Sequence, residues 1–131
     1  MKDVMFADYQ SMINDQLLRH RSILDIITKC QDAASRVNRA VIKAVTSCGC
    51  IEIHAVKQEL PEDISLENLK NYMDSHITGS LCKHCRSIIE DELGNQMFYM
   101  ASLANTLGIS LYDIILNEEK KMSTLGKYNL R

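Results

Sequence analysis

Two short cysteine hooks, Cys48-Gly49-Cys50 and Cys82-Lys83-His84-Cys85, bracket the stretch from Ile51 to Leu81 and constrain this chain more than any other feature. Each hook turns two thiols toward one point, and two hooks together supply the four soft ligands of a tetrahedral zinc site. The surrounding pattern puts Cys48 and Cys50 just past the C-terminal end of one long helix. It puts Cys82 and Cys85 in the first turn of the next, three residues apart and so on one face. If the two helices pack antiparallel, the four sulfurs converge and staple the loop between them. With all four positions filled by protein, the reading is a structural metal rather than a catalytic one. An iron–sulfur cluster uses the same four thiolates, and His54 or His84 can replace one of them, so the metal and its ligand set stay open at this level. A thioredoxin-like redox role lacks the βαβ pattern that would surround it. The fifth cysteine, Cys30, sits on an apolar helical face and reads as a small core residue.

The chain has 131 residues, enough for one domain spanning 1–131 with a real core and too few for two. A formal charge of −2 carries no polyanion-binding signature, so no nucleic-acid partner is expected. No apolar run approaches the roughly 20 residues that span a bilayer, and Met1 to Asp8 does not read as a signal peptide. The expected setting is cytoplasmic, without a membrane, where thiols stay reduced and metal is favoured over disulfide. One proline, five glycines and abundant Leu, Ile, Met and Ala favour helices.

Apolar residues at helical spacing predict a first helix from about Asp3 to Leu18, with a break near Arg19 to Arg21 and Ser22 as the next N-cap. A long helix follows from about Ser22 to Ser47, with Ile23, Ile27, Cys30, Ala34, Val37, Val41 and Ala44 as its buried stripe. Ile51, Ile53 and Ala55 alternate with Glu52 and His54, suiting a brief strand. A short helix is expected from about Ser65 to Ser75. A second long helix runs from about Leu81 to Leu107, closed by Gly108, with Ile88, Ile89, Leu93, Met97, Met100, Ala104 and Leu107 buried. Ser110, with Asp113 three residues on, caps a last helix ending near Gly126. The expected fold is all-α: a four-helix-type bundle with two long antiparallel helices and a zinc-stapled crossover loop.

The run from Glu90 to Met100, with Glu92, Leu93, Gly94, Asn95, Phe98 and Tyr99, leads into Ala104, Gly108, Ile109 and Leu111. It resembles the second metal-binding helix of the MazG-like all-α nucleoside triphosphate pyrophosphohydrolases, which read Glu-Glu-Leu-Gly-Asp-x-Leu-Phe-Tyr and then Gly-Ile-x-Leu. The segment from Asp32 to Val41 is similar to that family's first acidic helix. The resemblance implies a nucleotide ligand, Mg²⁺ held by carboxylates from two facing helices, and attack of water on the α–β phosphate linkage. Carried onto this chain, it makes Glu92, Asn95 and Asp32 the candidate catalytic set, with Arg36 and Lys127 as phosphate contacts. Asn95 stands where the family has Asp, Ala33 where it has Glu, and Arg36 where it has another acid, which implies weakened or lost Mg²⁺-dependent catalysis. The family's habit implies a homodimer or higher homo-oligomer. The alternative reading is a non-catalytic, zinc-stapled helical module that recognises another protein through its surface.

Overall fold

The computed structural model of the protein describes residues 4–126. Among these, the elements in order are α1 (Met5–Gln16), α2 (Ile23–Lys43), β1 (Ile51–Ile53), α3 (Leu66–Leu69), β2 (Ile77–Gly79), α4 (Lys83–Thr106) and α5 (Leu111–Leu125). A π-helical turn, Ala44–Cys48, extends α2, and a 3₁₀ turn, Lys70–Tyr72, extends α3. The class is helical, as expected. At 1.5 Å per residue the 21 residues of α2 and the 24 of α4 run about 32 and 36 Å.

These two helices form the most extensive contact of the structure. They are antiparallel: Cys48, at the end of the π-turn, meets Cys82 just ahead of α4, while Cys30 near the start of α2 donates its S–H to the Tyr99 carbonyl near the end of α4. Burial pushes the Cys30 thiol up, consistent with its place in the packing rather than in chemistry. Helix α1 packs on α4 and α5, and α5 leaves α4 at a bend of 104°. The join is held by Gln10 of α1. Its side-chain amide donates to Asn105 Oδ1 and to the Ile109 carbonyl, each at 2.9 Å, and its Oε1 accepts the Leu111 N–H at 2.7 Å. Asn105 returns a bond to the Gln10 carbonyl.

Local caps fall where the sequence puts them. Ser22 Oγ accepts the Leu24 N–H and Ser110 Oγ accepts the Asp113 N–H, satisfying donors that each helix start leaves open. The buried faces differ in part from expectation. Ala44 of the π-turn and Ile89 and Ala104 of α4 are buried as expected, and Ile26, Ala33, Cys85 and Ala101 are buried too, whereas Ile23, Ile27, Val41, Ile88, Leu93, Met97, Met100 and Leu107 are exposed. Both helices carry apolar residues around more than one face, and the seam follows the alanines because small side chains let the two axes approach. The short helix is also smaller than expected: α3 is one turn, and Leu66, Tyr72 and Met73 are exposed, so no packed face sustains a longer one.

The strand expected after the first hook is present, and its partner is β2. The pair is antiparallel, with Ile51 opposite Gly79, Glu52 opposite Thr78 and Ile53 opposite Ile77, extended by the His54 N–H to His76 carbonyl bond at 2.8 Å. This ribbon closes the excursion between the two hooks. Among the described residues no single helix is long and apolar enough to cross a membrane.

Candidate functional site

The first hook is made by the way α2 ends. The helix widens to a π-turn over Ala44–Cys48, and the Gly49 N–H closes it on the Ala44 carbonyl at 2.8 Å. Gly49 then takes φ +79°, a left-handed conformation that costs an L side chain roughly 1–2 kcal/mol, and so reverses the chain between Cys48 and Cys50. The second hook starts α4. Cys82 is the N-cap rather than a first-turn residue, and its Sγ accepts the Cys85 N–H at 3.3 Å. Gly79 sets β2 closely against the first hook. A Cβ at that position would lie 2.5 Å from the Cys50 carbonyl oxygen, so β2 can lie against the first hook only without a side chain there.

The result is a cluster of four sulfurs, Cys48, Cys50, Cys82 and Cys85, all within 4.8 Å of one another. Cys48 and Cys82 are 3.8 Å apart. A tetrahedral ion with metal–sulfur bonds of about 2.3 Å has sulfurs about 3.8 Å apart, so this edge already has the required length. The thiols are free rather than paired in disulfides. Behind the sulfurs lies a small apolar core of Ala44, Ile51, Cys85 and Ile89, which limits water at the back of the cluster. The donor set therefore fits one metal ion. His54 is exposed and its Nε2 pairs with Glu52 at 2.9 Å, and the exposed His84 stands between the second pair; neither joins the sulfur cluster.

Without a metal, Cys82 and Cys85 depart from ordinary thiol acidity in opposite directions. Cys82 is lowered to about 7, first by the Cys85 backbone N–H and then by the Cys85 thiol. Cys85 is pushed up to about 12, first by burial and then by thiol neighbours that already carry the charge. One sulfur is thus prepared as a thiolate by the helix start, as is needed to receive a cation first.

Above this end the groove between α2 and α4 opens into a polar cavity of about 390 Å³, lined by Asp32, Ser35, Arg36, Arg39, Ala40, Lys43, Ile88 and Glu92. Three of the residues expected to form a site, Asp32, Arg36 and Glu92, meet here. Antiparallel packing explains this, because it sets the middle of α2 against the first half of α4. Asp32 and Arg36 are already paired, Nε to Oδ2 at 3.2 Å. Arg39 and Lys43, one and two turns further on, have no ion-pair partner among the described residues. Glu92 Oε2 is shielded from solvent and has no hydrogen-bond partner, which for a carboxylate oxygen is costly unless something donates to it. Asn95 is exposed and does not line the cavity. Lys127 lies outside the described residues. Arg39 and Lys43 were not included in the site expected from sequence; the signal was their spacing, three and then four residues on from Arg36 down one helical stripe.

A second cavity, about 360 Å³ and almost wholly apolar, lies between α1, α4 and α5 and is lined by Phe6, Tyr9, Met97, Met100, Leu103, Leu107, Ile114 and their neighbours. No cation or carboxylate lines it.

In comparisons with protein-family models, curated proteins and solved structures, nothing matches this chain.

Proposed function

We propose that this protein binds the phosphate chain of a nucleotide in the polar cavity between α2 and α4, in a helical fold stapled by one structural zinc ion. The observation that carries the reading is the set of charges facing that cavity. Arg36, Arg39 and Lys43 stand against Asp32 and Glu92, and one of the carboxylates is already spent on Arg36. Mg²⁺ asks for a near-octahedral set of oxygen ligands and is poorly served by two carboxylates among three cations. Phosphate oxygens, in contrast, are matched directly by an arginine fork and a lysine point charge. Glu92 is half-buried, and its shielded, unpartnered Oε2 is suited to accept from a ligand hydroxyl or amino group. The volume lies within the usual range for small-molecule sites, about 300–1,000 Å³. The likeness of these two segments to MazG-like pyrophosphohydrolases supports a nucleotide as the ligand. The arginine and asparagine at would-be carboxylate positions support binding with lost Mg²⁺-dependent hydrolysis.

The zinc assignment rests on sulfur spacing. A 3.8 Å edge suits one central ion, whereas the ligands of a multi-iron cluster must stand further apart to reach different irons.

Titration calorimetry with a panel of nucleoside triphosphates, with and without Mg²⁺, tests the binding reading. Binding that persists without Mg²⁺ and weakens by about tenfold or more in Arg39→Glu and in Lys43→Glu is expected. No heat and no thermal shift with any nucleotide would overturn it. Pyrophosphate release that depends on Mg²⁺ and disappears in Glu92→Gln would restore catalysis.

The apolar cavity and the exposed Leu93, Met97, Met100, Leu107, Ile109, Ile114 and Ile115 favour a second role for the α4–α5 side, self-association into a homodimer or larger homo-oligomer. Light scattering on the eluting protein measures it, and a monomer at high concentration would leave this face to a different protein partner.

A further inference from the structure

The polar cavity has a neighbour at its lower end. A smaller cavity of about 190 Å³ shares Ala40, Lys43 and Ile88 with it and lies toward the cysteines, bounded there by Ser47, Cys48 and His84. Two adjoining cavities therefore line the way from the free cations to the rim of the sulfur cluster, and together they form a groove whose character changes along it. The upper end is charged. The lower end is walled by alanines, Ile88 and sulfur, with Lys43 at the junction of the two cavities and the Ser47 hydroxyl and the His84 ring as the further polar groups at its edge.

We infer that this groove is a single site for a ligand with an anionic end and a flat, weakly polar body, a nucleotide with phosphate at Arg39 and Lys43 and base against Ala44 and Ile88, so placed that ligand binding and metal retention reinforce each other. The inference rests on the phosphate reading above and adds where the rest of the ligand goes and what it does there. Two observations carry it. Cys48 is the exposed member of the four cysteines, and it is also part of the lower cavity wall. An occupant of that cavity covers the side from which a chelator would reach the metal. Moreover, the π-turn Ala44–Cys48 supplies cavity wall (Ala44, Ser47) and metal ligand (Cys48) from one short rigid piece. Whatever orders the turn for the metal orders it for the ligand, and linkage makes the effect reciprocal.

The test uses metal-loaded protein, AMP and inorganic phosphate, the last two being weak zinc chelators. Transfer of metal to a chromophoric chelator is followed with neither, with saturating AMP, and with saturating phosphate. AMP is expected to slow transfer by at least about fivefold, the low end of typical coupling, while phosphate leaves the rate within about twofold. Ser47→Trp, an exposed position lining only the lower cavity, is expected to weaken AMP binding about tenfold and spare phosphate. If AMP and phosphate both bind but AMP neither protects the metal nor responds to Ser47→Trp, this inference fails and the phosphate reading survives. If neither binds, both fail. Photolabelling of the unmodified protein by 8-azido-AMP gives a check that needs no variant: label on residues 44–48 or 84–88 supports the placement, and label confined elsewhere overturns it.

Discussion

Replacing Gly79 by alanine should damage the metal centre from outside it, and the size of the effect follows from two geometric features. At φ +84° an L side chain adds roughly 1–2 kcal/mol of backbone strain. The new Cβ would also lie 2.5 Å from the Cys50 carbonyl oxygen. That neighbour is backbone, so either β2 or the first hook must shift, at a further cost of about 1–3 kcal/mol for overpacking. A loss of about 2–5 kcal/mol is therefore expected. At a few degrees per kcal/mol for a domain of this size, that is a fall in Tm of about 6–20 °C. The shift moves Cys50 relative to its three partners, so the variant should also lose metal to a chelator faster than the parent. Gly94→Ala is the matched control. It lies within α4 with nothing within 4 Å of a built Cβ, so the substitution should stabilise by about 0.5–1 kcal/mol through helix propensity alone. The assay is thermal unfolding of both variants by circular dichroism, with metal transfer measured alongside. Opposite signs are expected. Should Gly79→Ala unfold within about 2 °C of the parent and hold its metal equally well, the reasoning about that close approach would be refuted.

Gln10→Ala removes three side-chain bonds that join α1, α4 and α5 and leaves the Leu111 N–H without its acceptor; a destabilisation of about 1–3 kcal/mol is expected from denaturant unfolding, and a change under about 0.5 would show the join to be held by apolar packing instead. Metal-stripped protein that keeps its helical circular dichroism should alkylate at Cys82 before Cys85, with a midpoint at about 7 for Cys82; peptide mapping after iodoacetamide at stepped pH reads the order. The sign follows for stability: the lowered Cys82 thiol contributes fully above its ordinary value of 9.0 and loses that contribution as pH falls through about 7. Equal alkylation of Cys82 and Cys85 at every pH would remove the basis for that ordering. Because its ligands must be deprotonated, the metal itself should dissociate on acidification, measurable by chelator-coupled release across a pH series, and release unaffected by acid would argue against thiolate ligation.

What could be read from the sequence was what is decided locally. The hooks, the caps at Ser22 and Ser110 and the stop at Gly108 each depend on a few neighbouring residues, and each is found where the spacing put it. The strand at Ile51–Ile53 was legible from alternation, but its partner Ile77–Gly79 was not, because three residues carry no period and the register is set by a chain segment more than twenty residues away. Helix faces were misjudged where apolar residues wrap the helix: α2 has Ile23, Ile26 and Ile27 to choose from, and only contact with α4 selects Ile26. The same limit applied to the polar cavity. Asp32, Arg36 and Glu92 were found through a resemblance in two separate segments, while the membership of Arg39 and Lys43, and the exclusion of Asn95, depend on how those segments face each other.

The claim on which the rest stands is that Cys48, Cys50, Cys82 and Cys85 hold one metal ion that ties α2 to α4. X-ray absorption at the zinc edge, with elemental analysis of protein purified without chelator, tests it most directly. The account expects one zinc per chain and a first shell of four sulfurs at about 2.3 Å, with no nitrogen ligand and no second metal nearby. A shell containing histidine nitrogen, a metal–metal distance, or protein that carries no metal and has its cysteines in disulfides would contradict it.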